Sequence, residues 1–185
     1  MRYLADRFIM DDSKIEYSLN KLNELYNEHV GQDGKDFELS MYCKLAALEL
    51  CGWFEETHDE LVRKCFFKNL PEENAKNCEK LYISPIYGLS YDRHFRPLLV
   101  NLIGAIKVYR LEEEIPELEG MRAILKELQE YRNCLAHNQY FEYKEKHPVN
   151  KQKKIDAPSV ILGHFRKCKP VIKKIEDYIH SMEFS

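Results

Sequence analysis

Nowhere among the 185 residues does an apolar run reach the roughly 20 positions that a membrane span requires. No C-x-x-C pair occurs, and no short Cys/His grouping repeats as it does in zinc sites. The six cysteines, Cys43, Cys51, Cys65, Cys78, Cys134 and Cys168, therefore read as reduced structural thiols, and no metal or cofactor is expected. Internal repeats, a strand-turn-helix nucleotide fingerprint and a Walker loop are all missing. The start, "MRYLADRFIMDDSK", carries acidic side chains where a signal peptide would have its apolar stretch, so the expected location is cytoplasmic.

What is present is helical. With 44% hydrophobic and 32% charged residues the chain has the profile of a globular protein. Its length suits one domain, residues 1–185, with a core bundle over about 36–182 and an N-terminal helix over about 12–30 packed on it. In "DDSKIEYSLNKLNELYNEHVGQDG", Ile15, Leu19, Leu22, Leu25 and Tyr26 share one face, and Gly31 and Gly34 end the helix. From Asp36 to Leu70 the apolar residues are too many for one stripe, which marks the central, most buried helix, closed by Pro71. After a short helix and loop, "RHFRPLLVNLIGAIKVY" reads as one helix with Pro97 near its start. "MRAILKELQEYRNCLAHN" is amphipathic, residues 140–159 form a polar loop, and "SVILGHFRKCKPVIKKIEDYIHSM" is a helix that Pro170 should kink or split. The expected fold is all-α, a bundle of about five or six helices.

Net charge is −3, but it is unevenly spread. From Tyr140 to Lys174 ten Lys/Arg face only Glu142, Glu145 and Asp156, a balance of +7, against −7 for residues 1–139. Such asymmetry points to an anionic partner at one end, with a solvated loop and helix face as the alternative. If the partner is RNA, Lys151, Lys153, Lys154, Arg166 and Lys167 are the candidate backbone contacts.

The basic stretch follows "EYRNCLAHNQYF", where an amphipathic helix ends on Arg132, Asn133 and His137. Spacing alone is weak: nine arginines, seven histidines and three permitted gaps give about one chance match to Arg-x(4–6)-His. A histidine in a last helical turn is favoured by the macrodipole, and an arginine there can lie over apolar surface, so a purely structural reading stays open.

In context, "YRNCLAHN" resembles the HEPN superfamily, whose hallmark is R-N-x-x-x-H near the end of a helix in a four- or five-helix bundle. The resemblance spans about Asp36 to Met182, with Arg132, Asn133 and His137 as its specific residues. It implies an HEPN-like fold and a metal-independent endoribonuclease working as a homodimer. The implied role is a toxin or antiviral-defence effector held by a cognate antitoxin or regulatory protein. In one subgroup a tyrosine two positions beyond the histidine is modified by the antitoxin; here Tyr140 stands three beyond His137, a departure from that scheme.

Geometry and residue chemistry are compatible with this. At about 100° per residue, Asn133 and His137 share a helix face, whereas Arg132 and His137 lie about 140° apart. They converge if the helix end loosens, if the guanidinium reaches, or if a second copy meets the first across a two-fold axis. Asn138 can take the left-handed conformation that ends a helix. Histidine can act as acid or base near neutral pH, and arginine offers a charged planar fork to phosphate. Asn133 would orient the imidazole or donate to phosphate. The expected products carry a 2′,3′-cyclic phosphate, and DNA is inert. The rival reading is a non-catalytic helical module for dimerisation, RNA binding or regulation of a partner protein.

Other residues carry weaker expectations. Trp53 reads as core, with base stacking as the alternative. Glu49 is either a buried carboxylate near the motif or a solvent-facing one. His94 and His164 read as surface or satisfied core histidines.

Overall fold

The computed structural model describes residues 12–136 and 156–182. These fold into seven α-helices and two π-helical turns, with no strand among the described residues. The helices are α1 (Asp12–His29), α2 (Asp36–Asn69), α3 (Glu72–Cys78), α4 (Arg96–Ile103), α5 (Ala105–Glu114), α6 (Leu118–Ala136) and α7 (Pro158–His180). The π-helical turns cover Glu79–Ile83 and Tyr91–Phe95. No helix of the described residues is long and apolar enough to cross a membrane.

The 34-residue α2 is the axis of the bundle, packed by α1, α4, α6 and α7. Ala46, Leu50, Phe54 and Val62 are fully inaccessible, which is why its sequence shows no single apolar stripe. It stops where Leu70 turns to extended backbone (φ −126°, ψ 153°), because a residue before proline is barred from the helical region by the proline ring. α1 lays Ile15 and Leu19 on α2 and α7. Trp53 is a core residue: its ring meets Phe54 and Phe165 edge-on, each at 5.0 Å between centroids, so base stacking is not its role.

Two elements depart from the sequence expectation. Residues 93–109 form a π-helical turn and two helices rather than one, because Gly104 adopts φ +84°, ψ 153°, a conformation that other residues reach only with strain. Pro170 neither ends nor splits α7, which runs unbroken from Pro158 to His180. Both Pro170 and Arg166, whose carbonyl loses its N–H partner, lie on the exposed side, where water can replace the bond. Buried Phe165 and Cys168 before the proline, with Val171, Ile172 and Ile175 after it, hold both halves on the core.

Candidate functional site

The structure gives α6 an apolar edge of Leu118, Met121, Leu125, Leu128 and Tyr131, all buried. That edge fixes the rotation of the helix and turns Arg132 and Asn133 outward, both exposed. Arg132 Nη1 donates to Glu55 Oε1 on α2, a pairing across 77 positions of sequence, and 43% of its side chain remains accessible. Among the described residues no second hydrogen-bond partner takes up its other guanidinium donors. His137, Asn138, Tyr140, Lys151, Lys153 and Lys154, together with most of the expected 140–159 loop, lie outside the described residues.

One turn beyond Glu55, the half-buried Asp59 shares its flank of α2. Burial pushes the Asp59 carboxyl up to about 6, the nearby Arg63 working against the rise and the Glu55 and Glu79 charges adding to it. Arg63 is itself held by Glu60 at 2.6 Å and Glu79 at 2.8 Å. Asp59 thus carries a carboxyl group that titrates near neutrality beside the Arg132–Glu55 pair.

His94 completes the group. It sits in the Tyr91–Phe95 π-helical turn, a distortion often found at functional positions. Its Nδ1 accepts the Ser90 backbone N–H at 3.0 Å, which leaves the proton of the neutral ring on Nε2. Partial burial lowers its affinity for a proton, while Glu55 raises it and the Arg93 and Arg132 charges lower it, so the ring feels both members of the pair. The backbone of Gly88, at φ +127°, lies so close that a Cβ there would fall 2.5 Å from His94 Cε1 and 2.8 Å from Nδ1. Only glycine leaves room for the imidazole.

The turn bearing His94 is anchored from three sides. Phe95 stacks on the buried His58 of α2 at 3.7 Å and 8° between planes. Tyr91 donates to Glu112 of α5 at 3.0 Å, and Arg122 of α6 pairs with Asp92 at 2.6 Å. His58 is wholly buried, and that burial lowers its pKa to about 3, so it is a neutral packing residue. Cys51 lies near Arg132 and Glu55, but burial raises its thiol to about 12, which makes it a poor nucleophile.

Among the candidate RNA contacts, Arg166 and Lys167 are exposed on α7 with no acidic partner among the described residues. The other three cations of that helix are neutralised. Lys169 pairs with Asp12 at 3.3 Å, Lys173 with Asp177 at 2.9 Å and Lys174 with Glu117. Glu49 faces solvent rather than the motif. The sequence reading passed over Glu55 and Asp59, whose only signal was an i,i+4 carboxylate pair in "WFEETHDE", and left His94 without a partner. Comparison of the chain with protein-family models, curated proteins and solved structures finds no match.

Proposed function

We propose that the chain is an HEPN-type endoribonuclease, acting as a homodimer in a toxin or antiviral-defence role. One observation carries most of the weight. Arg132 of the motif stands exposed near the end of α6, its guanidinium oriented by Glu55. Around that pair lie Asp59, whose carboxyl burial raises to about 6 and which feels the Glu55 charge, and His94, whose proton affinity burial lowers and which feels both Glu55 and Arg132. In this reading Arg132 holds the non-bridging phosphate oxygens, and Asn133 steadies the phosphate or the imidazole. His137 takes the proton of the ribose 2′-hydroxyl as that oxygen attacks phosphorus. The bond from phosphorus to the 5′-oxygen breaks, and the leaving oxygen receives a proton from the matching histidine of the second copy. Products are a 2′,3′-cyclic phosphate and a free 5′-hydroxyl. Asp59 and His94 would tune the charge around the Glu55–Arg132 pair. Arg166 and Lys167 would contact the RNA backbone, together with Lys151, Lys153 and Lys154.

The second reading, a binding module that retains the motif, draws on the same ion pair: a guanidinium already neutralised by Glu55 has less charge to lend a phosphorane. The test is cleavage of a fluorescent RNA in chelator by the wild type, Arg132→Ala and His137→Ala, with folding checked by circular dichroism. A nuclease loses at least about a hundredfold in rate with either change and leaves a 2′-deoxy substrate intact. Equal rates in all three proteins, or no cleavage by the wild type, would favour the module.

A further inference from the structure

The other flank of α6 carries a cluster that the nuclease reading does not use. Glu127 and Tyr131 lie one turn apart on α6, Asp156 immediately precedes α7, and His164 lies on α7. We propose that Glu127, Asp156 and His164 bind a divalent transition-metal cation, with Zn2+ the best fit, which ties the C-terminal half of α6 to the start of α7.

Three observations argue for it. First, one donor atom from each of the three side chains lies within 4.8 Å of the others. Second, His164 Nε2 is buried and has no hydrogen-bond partner among the described residues, although it stands 3.6 Å from Glu127 Oε2. That gap is too long for a hydrogen bond. It is close to the ligand–ligand separation of about 3.4 Å in a tetrahedral zinc site with arms near 2.1 Å. Third, the described residues supply the two carboxylates with no cationic partner besides the His164 ring. The Tyr131 hydroxyl is 3.0 Å from Glu127 Oε1 and 2.8 Å from Asp156 Oδ2, yet a phenol has one proton and can satisfy only one of them. No Lys or Arg pairs with either carboxylate among the described residues. A cation between the carboxylates and the imidazole satisfies all three ligands together and leaves Tyr131 to orient an oxygen from behind, as outer-shell partners do.

The donor set narrows the ion. One imidazole with two carboxylates suits Zn2+ and, less well, Mn2+, whereas Mg2+ prefers an all-oxygen octahedron. Sequence spacing gave no warning, because the ligands come from positions 127, 156 and 164 and include no cysteine.

The experiment uses the full chain, stripped with chelator and dialysed, then titrated with Zn2+, Mn2+ and Mg2+ by calorimetry and followed by thermal melting. The expected result is one equivalent of Zn2+ bound, more weakly matched by Mn2+ and not by Mg2+, with a rise in melting temperature that Mg2+ does not produce. His164→Ala and Glu127→Gln should each weaken Zn2+ binding at least about tenfold, and Tyr131→Phe by roughly tenfold. The proposal is overturned if Zn2+ neither saturates nor raises the melting temperature. It is equally overturned if folded Glu127→Gln and His164→Ala bind Zn2+ as the wild type does, since the ion then sits elsewhere. Greater stability of metal-free Glu127→Gln, with no Zn2+ effect on the wild type, would show that a shared proton resolves the cluster. None of these readouts involves RNA, so the outcome is independent of the nuclease reading.

Discussion

Asp59→Asn should stabilise the protein, and by an amount that depends on pH. In the folded chain burial raises the Asp59 carboxyl from 3.8 to about 6. A carboxyl with a raised folded-state pKa favours folding most when it is protonated in both states, below about pH 4. That contribution is lost as pH rises through the interval up to about 6, because the unfolded chain ionises first. At about 1.4 kcal/mol per pH unit, the full interval sets a ceiling of about 3 kcal/mol. Asp59 is only half-buried, and solvent screening reduces this to about 1–1.5 kcal/mol. Asparagine keeps the shape and removes the ionisation. Urea denaturation of both proteins between pH 4 and 8 should give nearly equal stabilities at pH 4. A gap in favour of the variant should open through pH 5 and level off above about pH 7. At pH 7.5 the corresponding shift in melting temperature is about 2–6 °C. A difference independent of pH, or a variant less stable at pH 7.5 than at pH 4 relative to the wild type, would refute the placement of this carboxyl in a desolvated setting beside Glu55.

Two glycines separate steric from backbone effects. Gly88→Ala drives a methyl into the His94 ring and should cost about 2–3 kcal/mol, with roughly half recovered in a His94→Ala background, as a double-mutant cycle by denaturation would measure. A Cβ at Gly104 meets nothing within 4 Å, so Gly104→Ala should cost only the strain of its positive φ, about 1–2 kcal/mol, with the break between α4 and α5 retained in the far-ultraviolet helix signal.

The helices were legible in the sequence because helix formation is local. Ile15 and Leu19, or Leu125 and Leu128, recur at the period that places them on one face, and those faces are buried. The excess of apolar residues between Cys43 and Phe66 marked α2 as central for the same reason. The break at Gly104 escaped notice because apolar periodicity continues across it through Leu99, Ile103 and Val108, and only the backbone angle shows the turn.

From its order of residues alone, the chain determined an all-α fold, the buried axis of α2 and the uneven charge. Folding in three dimensions decided which groups those side chains meet. Glu55 reaches Arg132 across 77 positions, Gly88 and Ser90 seat His94, and Asp156 joins Tyr131 across 25 positions. The physical reason is that helix periodicity extends over a few residues, whereas partners on different helices are chosen by how whole apolar faces pack. A carboxylate becomes part of a site only once that packing has set its distance from a cation and its share of water.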